Sequence, residues 1–387
     1  MIYFIYVIIL VAFIDTFAQL PIISPFAHEL GATPLLIGLA VGMYSFTNII
    51  GNIFAGFWID KNGAKRVLYI GLGITGLILL SYSLVHTPIQ LILARFFHGL
   101  SGGLLVPAAF TYLANTSVKT KKGKSMALSG AIVGLAAVLG PAFGGMMTET
   151  AGVKWVFLII GGLMLITALL AFLLLPQTEA TMSRRIDSKE TGKSIIDLLK
   201  NVPLFYAYLG SFALMFSQGV LAYMLPLKIE ALNYGNEVSG MLMSTFAFTA
   251  ILIFILPTNK LFDRFAHEYM LNTGLVILGI GLLLLSVTSQ LSLLYMIMVI
   301  YGIGFSFIFP SINALIIQHT NVLDRGKAFG LFYAFFSLGV VVGSVMTGAL
   351  AVTANGAFLI GTTVVLCSSF ILFILIMQRK KASASIN

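Results

Sequence analysis

Twelve separate stretches of this chain are each long and apolar enough to cross a bilayer, for which a helix needs about 20 consecutive apolar residues. They fall at roughly 2–24, 34–59, 66–86, 88–115, 122–147, 153–175, 204–228, 237–259, 268–288, 290–318, 326–353 and 355–377. Lipid cannot satisfy an exposed backbone donor or acceptor, so each run must hydrogen-bond within itself or close into a barrel. A transmembrane barrel would show strands of about ten residues that alternate apolar and polar. These runs are longer, nearly unbroken and rich in Leu, Ile, Phe and Gly, so they predict an all-α membrane protein of twelve transmembrane helices. Composition excludes the alternatives. Only 9% of the residues are charged, against about 25% in soluble domains, which rules out a soluble globular enzyme. An apolar content of 59% is far above what a disordered chain carries. The first run lacks a basic leading region, contains Asp15 and is longer than a secretory signal core, so it predicts a true span.

The position of the basic residues predicts orientation. With the N-terminus inside, all but three of the 22 Lys and Arg fall on the inner side, the exceptions being Arg95 within a span and Lys154 and Lys228 near outer loops. Both termini are therefore expected in the cytoplasm, with the chain in the cell membrane. The net charge of +9 becomes a topology signal and an attraction to anionic inner-leaflet lipid, and nucleic acid is not an expected partner. The lone Cys367 excludes an intramolecular disulfide framework and a cysteine-rich metal site.

The polar stretch around 176–203 divides the spans six and six, so residues 1–175 and 204–387 are expected to form two bundles joined by a cytoplasmic linker. An internal repeat supports this division. Shifting the sequence by 203 residues puts Asp60 on Asp263, Lys61 on Arg264, Gly99 on Gly302 and Pro107 on Pro310. The same shift puts Gly123 on Gly326, Lys124 on Lys327, Leu128 on Leu331 and Gly140 on Gly343. Most of these matches are glycine, proline or charge rather than generic Leu or Ile. Two similar halves around a central linker are the construction of many secondary transporters, whose substrate site lies between the halves near the midplane.

Between the second and third runs the chain reads Gly56-Phe-Trp-Ile-Asp60-Lys61-Asn-Gly63-Ala64-Lys65-Arg66. This resembles the signature loop of the major facilitator superfamily, although Ala64 stands where a basic residue is usual. Arg95-Phe-Phe-His98-Gly99 is similar to the family's second motif, with His98 where Gln is common. Gly134 followed by Gly140-Pro141-Ala-Phe-Gly144-Gly145 resembles the antiporter motif of its drug–proton exchangers. In the second half, Asn259 and Ala266 replace the loop glycines around Asp263 and Arg264. The resemblance implies two pseudo-symmetric six-helix bundles, the major facilitator fold, working by alternating access. It implies gating roles for Gly56, Asp60, Lys61, Gly63, Lys65, Arg66, Gly140 and Pro141. Each has a plainer alternative: the loop charges can simply form a solvated turn, and glycine and proline can serve close helix packing and bending.

Two enzyme-like patterns carry no such weight. Gly71-Leu-Gly73-Ile-Thr-Gly76 sits inside an apolar run with no acid placed to bind a ribose. Gly99-Leu-Ser101-Gly-Gly103 lacks the strand–turn–helix setting of a nucleophile elbow. No enzyme activity, cofactor or metal is expected.

Ionisable groups deep in a membrane are costly and are functional candidates by default. Asp15 is the only acid well inside a span, and Arg95 the only base. At 1.5 Å of rise per residue the two come out at similar depths on spans 1 and 4, so they are expected to face each other as a proton-coupling and substrate site. Gln19, Tyr44, Asn48, His98 and Gln218 are candidates for cavity lining, or for interhelical hydrogen bonding. The static alternative for Asp15 and Arg95 is a buried ion pair that only holds two helices together. The expected function is proton-coupled export of amphipathic or cationic small molecules by a monomer. Export or flipping of a defined metabolite or lipid remains open, and a membrane enzyme or channel is a third reading.

Overall fold

The computed structural model describes residues 3–116, 122–176, 194–255 and 265–384. The helices are α1 (Phe4–Ala18), α2 (Ile23–Glu29), α3 (Pro34–Asn62), α4 (Ala64–Ser81), α5 (Pro88–Thr116), α6 (Lys122–Ala151), α7 (Val153–Leu174), α8 (Ile195–Lys200) and α9 (Val202–Ala231). They continue as α10 (Asn236–Ile255), α11 (His267–Val287), α12 (Leu291–His319), α13 (Val322–Ala349) and α14 (Ala354–Ala384), and a 3-10 turn (Tyr82–Leu84) follows α4. Among the described residues there is no strand. Among the described residues eleven helices are long and apolar enough to span a bilayer, and the bent pair α1–α2, counted as one span, makes a twelfth.

That bend differs from the single unbroken first run read from the sequence. The two pieces meet at 46°, and the break falls at Pro21, which has no backbone N–H to continue the ladder and disfavours helical geometry at the residue before it. The chain re-forms its bonds through Ile22 and Ile23, whose N–H groups both donate to the carbonyl of Gln19.

Elsewhere local chemistry sets the helix ends. Pro34 opens α3 after an extended Thr33, the position where a missing N–H costs nothing. Ser194 and Asp197 form a reciprocal capping box on α8, and the Asn321 side chain caps α13 by accepting from the Asp324 N–H. Gly63 alone joins α3 to α4, at φ +81°. A side chain would be strained in that conformation. Its repeat partner Ala266 begins α11 at φ −63°, so the second half has no need of glycine there.

The contacts divide the chain into two compact units. The first holds Met1–Ser188 with Leu225–Ser244, and the second holds Lys189–Met224 with Thr245–Asn387. The units therefore depart from the repeat boundary along the end of α9 and the start of α10. In the first unit that segment is tied down by the Asn236 N–H donating to Glu149 Oε2 at 2.9 Å and by Ser244 Oγ donating to the Val138 carbonyl at 2.6 Å. His28 and Glu230 add an exposed ion pair at 3.5 Å.

Within the first unit α3 packs on α5, α4 on α5 and α7, and α1 on α6; in the second, α11 packs on α12 and α14. The repeat is structural as well as sequential. Shifted by 203 residues, the bounds of α5 become Leu291–His319, which are those of α12. Pro107 and Pro310 lie inside these two helices. Asp263, Arg264, Asn259 and the linker residues Arg184, Arg185, Lys189 and Lys193 lie outside the described residues.

Candidate functional site

Asp15 and Gln19, the residue that caps the C-terminus of α1, sit four residues apart, and Arg95 and His98 three apart on α5, so each pair shares one helix face. The structure turns these faces together inside the first unit. Asp15, Gln19, Arg95 and His98 are 1%, 2%, 6% and 0% exposed, so their polar groups must satisfy one another.

They do so in a ring. Gln19 Nε2 donates to Asp15 Oδ1 at 2.6 Å, and Arg95 Nη1 donates to Gln19 Oε1 at 2.6 Å. On the other side His98 Nε2 lies 2.9 Å from Asp15 Oδ2, and His98 Nδ1 lies 3.2 Å from the Tyr82 hydroxyl. Arg95 is further fixed by α3: its Nε donates to the Ala40 carbonyl at 3.0 Å and its Nη2 to the Val41 carbonyl at 3.4 Å. The guanidinium lies over the Tyr44 ring at 4.8 Å, a cation–π arrangement. Tyr44 meets His98 edge-on at 5.0 Å, and Tyr82 stacks on Phe157 of α7 at 4.1 Å. One negative and one positive charge are thus joined through hydrogen-bonded intermediaries in a water-poor setting.

This corrects the expected direct facing of Asp15 and Arg95. Gln19 stands between them, and the group against the carboxylate is His98. The depths agreed, but depth does not say which residue on a helix face arrives first. Tyr82, which the sequence reading did not single out, joins the cluster through His98 from the 3-10 turn after α4. Asn48 lies outside the ring: its Nδ2 donates to the Gly99 carbonyl at 3.4 Å, and it accepts from Asn52 at 2.8 Å. Gln218 is half-buried on α9 in the second unit.

Two close helix approaches hold the ring. A Cβ on Gly99 would run into Thr47 Oγ1 and the Tyr44 carbonyl, so glycine is what lets α5 lie against α3 beside Tyr44. A Cβ on Gly140 would come within 2.8 Å of Phe17 Cβ and 3.0 Å of the Ala18 nitrogen on α1. Pro141 lies inside α6, and its carbonyl faces Gly240 of α10, where a Cβ could not fit. The glycine-proline motif is thus a two-sided packing surface, with α1 on one side and the start of α10 on the other.

The signature loop is arranged differently. Asp60, Lys61 and Arg66 are exposed, and among the described residues no ion pair of Asp60 is found. Lys65 lies 6.0 Å from the Phe172 ring. Gly56 has open space where a Cβ would stand.

Among the described residues the second unit carries no equivalent of the ring. His98 corresponds to Tyr301 and Asp15 to Gln218, while Arg95, Gln19 and Tyr44 correspond to Met298, Ala222 and Ala247. Where His98 meets Asp15, Tyr301 instead makes a neutral contact with the residue before Gln218, its hydroxyl lying 2.7 Å from Ser217 Oγ, with both residues fully buried.

Twelve spans in two repeats, with a buried ionisable cluster in one of them, define a membrane protein built as secondary transporters are. The chain belongs to the Major Facilitator Superfamily, whose sequence model matches residues 5–241 and 207–387. It is 27% identical over 338 residues to an MFS-type transporter of Methanocaldococcus jannaschii, covering 86% of each chain. It is 24% identical to the quinolone resistance protein NorA of Staphylococcus aureus, covering 90% of this chain and 89% of that one. Among solved structures, the nucleoside transporter NupG superposes with a TM-score of 0.77 at 16% identity, over 97% of this chain and 98% of that one.

Proposed function

We propose that this protein is a secondary active transporter that expels amphipathic or cationic small molecules in exchange for protons, by alternating access. The observation that carries the reading is the buried ring around Asp15, an ionisable cluster in a membrane bundle whose repeat counterpart is neutral. Relatives add support: besides NorA, Multidrug resistance protein 2 of Bacillus subtilis is 23% identical over 88% of this chain, and it covers 86% of that protein.

In this mechanism Asp15 supplies the negative charge for which a proton and a cationic substrate compete. A low-dielectric site strengthens that competition, because an uncompensated buried charge is expensive. Arg95 is held by two α3 carbonyls and by Gln19, which keeps a fixed positive group near the carboxylate and favours its ionised form. The exposed Asp60, Lys61 and Arg66, with the half-buried Lys65, are read as an inner-face latch, and the Gly140–Pro141 surface as the element against which α1 moves. The chain works as a monomer in the cell membrane with both termini in the cytoplasm.

The test uses everted vesicles containing the protein and ethidium, an aromatic lipophilic cation, as probe. An imposed pH gradient, acid inside, should drive ethidium into the vesicles, and collapsing the gradient should release it. Absence of pH-driven accumulation alongside facilitated ethidium movement refutes the proton coupling. Lipid scrambling without ethidium transport supports a flippase instead.

A further inference from the structure

The donor and acceptor pattern of the ring assigns a second role that the carboxylate alone does not account for. Both oxygens of Asp15 are engaged, Oδ1 by the Gln19 amide and Oδ2 by His98 Nε2. Gln19 Nε2 must be the atom facing Asp15, because Arg95, which has only donors, occupies the Oε1 side. An ionised Asp15 has only acceptors, so the match at Oδ2 requires hydrogen on His98 Nε2. Nδ1 of a neutral His98 then accepts, and its partner is the Tyr82 hydroxyl. The donors converge on Asp15 by two routes, one from Arg95 through Gln19 and one from Tyr82 through His98.

A proton added to Asp15 itself requires His98 to give up its Nε2 hydrogen and carry one on Nδ1 instead, so in either case the hydrogen new to the ring stands on Nδ1. The ring has one position where an extra proton meets a partner of either sense. That position is His98 Nδ1, because a hydroxyl can turn from donor to acceptor while an amide or guanidinium donor cannot. We propose that His98, rather than Asp15, holds the transported proton, as an imidazolium against the Asp15 carboxylate, with Tyr82 as the positioning residue that fixes its tautomer. The step forms one N–H bond and breaks none within the protein; the proton comes from water and returns to it on the opposite side. The charged and titratable groups facing His98 are Asp15 from α1, Tyr44 from α3, Tyr82 from the turn after α4 and Arg95 from its own helix. From α7 only the Phe157 ring packs on Tyr82. Asp15 is then the fixed counter-charge, and a cationic substrate displaces the imidazolium proton by taking that counter-charge over. The inference rests on the proton-coupled reading above and names its proton carrier.

The decisive experiment is nitrogen-15 NMR of histidine-labelled full-length protein in lipid nanodiscs, with the His98 signal assigned from its loss in His98→Gln. At high pH the expected signature is a neutral ring bearing its hydrogen on Nε2. Both ring nitrogens should become protonated across the pH range that activates ethidium transport. Tyr82→Phe should give a mixture of neutral tautomers. In vesicles, His98→Gln keeps an amide able to bridge Asp15 and Tyr82. It should lower the ratio of pH-driven ethidium accumulation to ethidium counterflow by at least tenfold. A His98 that stays neutral through the activating range, or an unchanged ratio in His98→Gln, overturns the inference while leaving proton coupling intact. Wild-type protein that shows no pH-driven accumulation overturns both.

Discussion

Gly140→Ala is the sharpest probe of how packing supports the site. The new methyl group would stand 2.8 Å from Phe17 Cβ, 3.0 Å from the Ala18 nitrogen and 3.2 Å from the Phe17 carbonyl carbon. Carbon atoms in good contact lie about 3.5–4.0 Å apart, so α1 must retreat by at least ~0.7 Å. Two of the three neighbours are backbone, which no rotamer change can remove. Overpacking of this kind costs about 1–3 kcal/mol. The retreat falls two residues from Asp15, whose contact with His98 is 2.9 Å; adding ~0.7 Å takes it to about 3.6 Å, beyond a hydrogen bond. Purified Gly140→Ala should therefore melt at a lower temperature than wild type and lose most pH-driven ethidium accumulation. Gly56→Ala is the internal control: nothing lies within 4 Å of its Cβ, and removing a helical glycine stabilises by roughly 0.5–1 kcal/mol. If both variants melt and transport like wild type, the close approach of α6 to α1 does not hold the ring.

Further outcomes follow from the same geometry. Tyr301→Phe removes the buried contact with Ser217 and should cost about 1 kcal/mol of stability, without moving the pH profile of transport. Gly63→Ala forces a side chain into φ +81°, and the strain of about 1 kcal/mol or more should appear as a lower melting temperature. His28→Ala removes a contact with Glu230 whose side chains are at least half exposed, so its effect on melting should be within about 1 kcal/mol. Asp60→Asn should weaken transport with normal membrane insertion, and transport at the wild-type rate would remove Asp60 from the gating account.

The spans were legible because lipid leaves a chain so few options, and the repeat because glycine, proline and charge survive at a fixed offset. The broken first span was less visible: Pro21 lies within a run whose hydropathy hardly dips, and only the backbone shows the chain turning there. Within the site, helical rise gave Asp15 and Arg95 comparable depths, but contact depends on the angle around each helix and on side-chain length. Gln19, one turn beyond Asp15, therefore reached Arg95 first, and His98, one turn beyond Arg95, reached Asp15. The spacings i, i+4 and i, i+3 were the available signal for that pairing. Tyr82 had none, because it sits in a 3-10 turn where helical periodicity stops. Gly56 and Gly140 looked alike as motif glycines, yet only Gly140 is pressed against a neighbouring backbone.

The central claim is that transport is coupled to protons through the ring built on Asp15. Its most direct measurement is ethidium accumulation in everted vesicles, compared for wild type and Asp15→Asn with and without an imposed pH gradient. Counterflow at equal pH measures carrier function in the same preparation. The account predicts that Asp15→Asn lowers pH-driven accumulation at least tenfold more than it lowers counterflow. Accumulation in Asp15→Asn that follows the pH gradient as in wild type would contradict it.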